Sequence, residues 1–302
     1  MTNTFLQNWV DIVRQKNSVL CAGVDPGEFD PDLGNACLPP VVFGKKKLEW
    51  ALTYINAIAP YCAAIKPNPN YWAEEGDGEA LEEIGREAKS LGLLMIEDAK
   101  LRDIGSTNLA GIRAISKRAG AVTFSPFAGN IAEMSTQSKK EGISVISMVL
   151  MSNPEFRHVK DNLVLVDPED YHEHDIISVN DESYVPYYIY LTREAATHHI
   201  EGIVVGCPSP LNHITPENIE RVKAYWKKDM FVLAPGTGVQ GGDAAELFKA
   251  FGPGHVVVNV GRALMFPHGQ LSTPTEQAEA CRKMRDALNA VRAHAEWGKI
   301  GF

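Results

Sequence analysis

The stretch "LLMIEDAKLRDIGSTNLAGIRAISKRAGAVTFSP", residues 93–126, holds one structural unit of the chain. An apolar run, "LLMIEDAK" (93–100), reads as a strand that breaks into charge. A helical pattern, "NLAGIRAISKRAG" (108–120), follows it, and a second β-branched run, "AVTFSP" (121–126), comes next. Such alternation is the mark of α/β architecture. It recurs along nearly the whole chain. Strands also read at "SVLCAGVD" (18–25), "CAAIKPN" (62–68), "ISVISMVL" (143–150), "GIVVGCPS" (202–209), "FVLAPG" (231–236) and "VVVNVG" (256–261), which makes eight. Helical patterns separate them, among them 46–60, 78–92, 216–229 and 243–252, with a long closing helix at 273–297.

Eight strand–helix units in 302 residues favour a (β/α)8 TIM barrel over an open doubly wound sheet. An open sheet would call for a dinucleotide fingerprint, and no G-x-G-x-x-G opens a helix here. The expected fold is therefore α/β: one barrel domain over residues 1–302. One region breaks the rhythm. Residues 153–186, after the fifth strand, are polar, acidic and too long for an ordinary connection. They are expected to form an insertion, read as a surface excursion, with His172 and His174 solvated in a flexible loop rather than bound to metal.

Composition excludes several classes of function. The net charge of −9 argues against general nucleic-acid binding, so an anionic ligand must be held by a few local cations. Apolar runs are far too short for a membrane span. Residues 1–17 read as an amphipathic helix, not a signal peptide. The five cysteines, Cys21, Cys37, Cys62, Cys207 and Cys281, are odd in number and form no C-x-x-C pair, which fits reduced thiols in a cytoplasm.

Chemistry gathers where the strands end. The first delivers Asp25 and the second Lys66. The third delivers Asp98 and Lys100, two apart and thus expected on one side of the strand. Ser152 follows the fifth strand, and "GCPSP", "APGTGVQGGD" and "VGRALM" end the sixth, seventh and eighth. Taken singly, an Asp after a strand is a turn former and a Lys is a surface charge. Polar or charged groups at seven of eight ends would converge on one barrel mouth. The loops after the last two strands are suited to a phosphate: glycines permit close approach, Gln240 offers an amide, Gly261 a main-chain N–H, and Arg262 a planar clamp.

The motif "DAKLRDIGST" resembles the D-x-K-x-x-D-I-x-x-T signature of the orotidine 5′-phosphate decarboxylase family. The order "GVDP", "AIKPN", the signature, "MS" before a proline, "APGTGVQGGD" and "VGR" is similar to that family from Val19 to Met265. The glycine after the isoleucine and the middle insertion resemble its longer branch, although Leu101–Arg102 stands where "R-G" is more usual. The resemblance implies a metal-free decarboxylation of orotidine 5′-monophosphate to uridine 5′-monophosphate in pyrimidine biosynthesis, with no cofactor. It implies a catalytic array of Lys66, Asp98, Lys100 and Asp103, with Lys100 as proton donor. Asp25 and Lys66 would hold the ribose and Ser152 the pyrimidine edge. Gln240, Gly261 and Arg262 would hold the phosphate, with Pro235, Ile104 and Thr107 lining the site. It further implies a cytoplasmic homodimer in which Asp103 and Thr107 serve the neighbouring subunit's site, with no nucleic-acid polymer or membrane as partner.

Two rival readings exist. A metal-dependent sugar-phosphate decarboxylase or aldolase on the same barrel shares D-x-K-x-x-D, but it would place a carboxylate at the second strand end, where this chain has cationic Lys66. A non-catalytic barrel that binds phosphorylated ligands would be expected to have lost an array member, and all four are present.

Overall fold

The computed structural model describes residues 4–27, 38, 45–74, 76–237 and 242–293. Helix α1 (Phe5–Lys16) comes first, begun by a capping box between Thr4 and Gln7 that satisfies main-chain N–H groups at its start. Strands and helices then alternate: β1 (Leu20–Gly23), α2 (Lys45–Ile58), β2 (Ala64–Lys66), α3 (Asp77–Ser90), β3 (Leu94–Leu101), α4 (Gly105–Ile115), β4 (Ala121–Phe124), α5 (Ile131–Glu141) and β5 (Ser144–Leu150). An inserted segment holds β6 (Leu163–Leu165), β7 (Ile177–Val179) and β8 (Glu182–Pro186). The alternation resumes with α6 (Tyr187–Thr197), β9 (Gly202–Val205), α7 (Pro216–Tyr225), β10 (Phe231–Pro235), α8 (Ala245–Phe251), β11 (Val256–Val260), α9 (Arg262–Met265) and α10 (Pro274–Arg292).

Eight strands close into a barrel in the order β1-β11-β10-β9-β5-β4-β3-β2, every neighbour pair parallel. These are the eight strands read from the sequence. Their runs of Val, Ile and Ala are buried because a parallel barrel is covered by side chains within and helices without. Helix α1 lies under the N-terminal end of the barrel. Phe5 stacks on Phe231, at the start of β10, with ring centroids 4.7 Å apart, and Trp9, Val10 and Val13 are buried alongside. With that end closed, the C-terminal end is the one left for chemistry.

The insertion departs from the expected loop. It forms a three-stranded antiparallel sheet in the order β6-β8-β7. Val179 pairs with Glu182 across a two-residue turn in which Asn180 (φ 49°) and Asp181 (φ 64°) both occupy the left-handed region. That is the type I′ hairpin geometry that Asn and Asp tolerate best. The sheet is tied down by charge. Asp175 is fully buried and accepts from Arg221 Nε (2.6 Å) and the Tyr225 hydroxyl (2.8 Å), both on α7. Asp170 pairs with Arg193 on α6 at 2.6 Å. The two histidines are exposed, as expected of solvated side chains. Their rings stack 5.6 Å apart, and His172 packs on Tyr225 and donates its main-chain N–H to that hydroxyl (2.9 Å).

The four described cysteines are free and buried. Among the described residues, no helix is long and apolar enough to cross a membrane.

Candidate active site

Strand β3 explains why charge can sit at a buried strand end. Glu97 and Asp98 face opposite ways, as neighbours on a strand must. Glu97 turns outward into the helix layer and accepts from Arg118 through both oxygens, at 2.6 and 2.8 Å. Asp98 turns inward to the barrel mouth. Its Oδ2 accepts from the Lys66 ammonium at the end of β2, and its Oδ1 pairs with Lys100 Nζ at 2.7 Å. One carboxylate thus sits between two ammonium groups.

The expected same-side placement of Asp98 and Lys100 is reached by an irregular route. Glu97 pairs with Val122 and Leu101 with Phe124, so Asp98, Ala99 and Lys100 lie opposite the single residue Thr123. This bulge puts Lys100 in the left-handed region at φ 46°, uncommon for a residue with a side chain. Thr123 meets the bulge with its hydroxyl. Oγ1 accepts from the Lys100 main-chain N–H (2.9 Å) and donates to Asp98 Oδ1 (2.9 Å). The sequence reading passed over Thr123, because a buried threonine in a β-branched run looks like a strand former.

Electrostatics favours the charged forms of Asp98 and Lys66. Burial works against the Asp98 carboxylate, but Lys66 and Lys100 outweigh it and bring its pKa far below the usual range. Burial likewise works against the Lys66 ammonium, yet the Asp98 and Asp25 carboxylates leave its pKa raised. For Asp25, at the end of β1, burial outweighs the opposing pull of Lys66 and raises the pKa. Asp25 Oδ1 also accepts from the Asn68 main-chain N–H (3.0 Å), linking the ends of β1 and β2. Trp72 reinforces that link by donating Nε1–H to the Val24 carbonyl (3.0 Å).

Asp103 stands apart from this cluster. Its Oδ1 accepts from the Ile104 main-chain N–H (2.8 Å), and among the described residues it pairs with neither lysine of its own chain. The main chain here is well held. The Asp103 N–H donates to Asn108 Oδ1 (3.1 Å), and its carbonyl accepts from the side-chain amides of Asn108 and Asn130. Ile104 and Thr107 are exposed beside it, at the start of α4.

Ser152, Pro235, Gly261 and Arg262 lie at or just past the C-terminal ends of barrel strands. Ser152 is buried just past β5, and Gly206 packs so closely that a Cβ there would lie 2.7 Å from the Ser152 Cβ. Only glycine fits between that turn and β9. Pro235 ends β10, and its carbonyl accepts from the Cys207 N–H (2.9 Å). A Cβ on Gly23 would lie 2.9 Å from the Gly261 Cα, so the absent side chain lets β1 and the end of β11 approach. Arg262 is exposed at the start of α9, with no ion pair among the described residues. Gln240 lies outside the described residues. Among the described residues, no group of three or more His, Cys, Asp or Glu side chains is placed to hold a metal ion.

Comparison with known proteins agrees with this architecture. A protein named orotidine 5′-phosphate decarboxylase from Polaromonas naphthalenivorans is 30% identical over 96% of this chain and 97% of its own. One of the same name from Paracidovorax citrulli is 29% identical over 96% and 99%. The solved structure of Leishmania donovani OMP decarboxylase shares the fold at a TM-score of 0.67, with 20% identity over 95% of this chain and 99% of that one. The family model "Orotidine 5'-phosphate decarboxylase / HUMPS family" matches residues 18–266, a span that begins just before β1 and ends just after α9. Every barrel strand, and every residue discussed at its mouth, falls inside that span, and the chain belongs to this family.

Proposed function

We propose that this chain converts orotidine 5′-monophosphate to uridine 5′-monophosphate and carbon dioxide, a step in forming pyrimidine nucleotides, without a metal or organic cofactor. The observation that carries the reading is the single Asp98 carboxylate held between the Lys66 and Lys100 ammonium groups at the barrel mouth. Breaking the bond from ring carbon six to the carboxylate leaves an electron pair on that carbon, and carbon dioxide departs. An ammonium fixed beside the carbon stabilises the developing charge, then gives up a proton to form the C–H bond of the product. Lys100 takes this role. Asp98 pairs with the Lys100 ammonium and faces the departing carboxylate, so that loss of carbon dioxide relieves a like-charge contact.

The other residues bind and orient. Asp25 and Lys66 hold the ribose hydroxyls, and Ser152 meets the pyrimidine edge. Ile104, Thr107 and Pro235 line the site. Arg262, Gly261 and Gln240 hold the phosphate, whose distance from the reacting carbon makes it a source of binding energy rather than of chemistry. The chain acts as one domain over residues 1–302, in the cytoplasm, as a homodimer in which Asp103 and Thr107 complete the partner's site. The exposure of Asp103 and its separation from the lysines of its own chain support that arrangement.

The test is direct. Orotidine 5′-monophosphate added to purified, EDTA-treated protein should lose its ultraviolet absorbance as uridine 5′-monophosphate forms. Inactivity that magnesium restores would instead favour the metal-dependent members of the barrel superfamily.

A further inference from the structure

We propose that Thr123 is a positioning residue for the reaction, the pin that holds Lys100 in its left-handed conformation and aims its ammonium. This inference rests on the decarboxylase reading above. Lys100 belongs to the bulge of β3, and Thr123 is the one residue of β4 opposite that bulge. Its hydroxyl has a single hydrogen and is buried from water. Because Oγ1 accepts from the Lys100 N–H, its own hydrogen is committed to Asp98 Oδ1. Asp98 Oδ1 in turn pairs with Lys100 Nζ.

The bonds therefore form a closed circuit: Lys100 N–H to Thr123, Thr123 to Asp98, and Asp98 back to the Lys100 ammonium. Each link constrains a different degree of freedom. The first fixes the backbone of a residue that steric repulsion would otherwise drive out of positive φ. The second fixes the rotation of the carboxylate. The third sets where the ammonium sits. A circuit of this kind matters chiefly for a group whose placement counts in the transition state. Displacement of about 1 Å at a reacting centre costs on the order of a hundredfold in rate.

Thr123→Val preserves shape and volume while removing both hydrogen bonds, leaving the Lys100 N–H without its acceptor. Thr123→Ser keeps the hydroxyl. The experiment measures turnover of orotidine 5′-monophosphate and, separately, the dissociation constant of uridine 5′-monophosphate for wild type and variants. Thr123→Val should lower kcat about a hundredfold and leave product affinity within a few-fold of wild type, whereas Thr123→Ser should recover most of the rate. Should Thr123→Val fail to fold, Thr123→Ala must show the same split. A Val variant with wild-type kcat, or a Ser variant as slow as Val, overturns the role of Thr123. Wild-type protein that does not consume the substrate overturns the decarboxylase reading instead, so the two failures are distinct.

Discussion

At the scale of single residues, the site is a problem in keeping charges apart from water yet ionised. Asp98 has its pKa held far below the ordinary carboxylate range, so the stability its pairing contributes is present above the unfolded value near 4. That contribution is lost only as pH falls through the depressed folded value. Lys66 has a raised pKa, so its contribution is complete below the unfolded value near 10.4 and is lost as pH rises through the folded one. Between those limits the pair does not titrate. Neither group should therefore put a limb near neutrality in the kcat profile, and a limb there that moves with substitution of Lys66 would contradict these two charge assignments. Phosphate recognition should separate from chemistry. Arg262→Ala is expected to weaken uridine 5′-monophosphate binding by about 2 kcal/mol, the loss of a charge-assisted hydrogen-bonding partner, measurable by calorimetry. The sequence disclosed these charges because so many strands ended in polar groups at once. It could not disclose the left-handed Lys100. Ordinary strand alternation already puts residues two apart on one face, so nothing in D-x-K signals that the real path runs through a bulge.

Among the elements, β3 carries ion pairs with different tasks on its two faces. Glu97 and Arg118 bind the strand to the end of α4, away from the mouth. Arg118→Ala would leave the Glu97 carboxylate buried without its partner, which should cost about 3–5 kcal/mol of stability in denaturant unfolding. Turnover per folded molecule should survive, and its collapse would show that the two faces are not independent. The eight barrel strands were readable because each is a short apolar run that ends in a turn and alternates with a helical pattern. The insertion's sheet was not. Its strands "LVL" and "ISV" are three residues long, too short to establish a period of two, and the acidic residues around them resemble a solvated loop. Its firmest signal was "ND" at Asn180–Asp181, the residue types that a type I′ hairpin requires.

At the scale of the whole molecule, Lys100 and Asp103 are three residues apart yet are assigned to different active sites. The tight main-chain hold on Asp103 makes this reasonable: the strand ends, the chain turns, and the carboxylate is left exposed. Lys100→Ala and Asp103→Ala should each be nearly inactive alone. When their subunits exchange, a mixed dimer has one site with both lesions and one with neither. Random mixing in equal amounts makes half the dimers mixed, so about a quarter of wild-type activity should return. Verified exchange with no recovery would place Asp103 in its own chain's site.

The account turns on Lys100 acting in the transition state and not in holding the nucleotide. The most direct measurement sets kcat beside the uridine 5′-monophosphate dissociation constant for metal-free wild type and Lys100→Ala. A collapse of turnover by several orders of magnitude with product affinity nearly unchanged is the predicted result. Turnover that persists, or affinity that falls in step with rate, would contradict it.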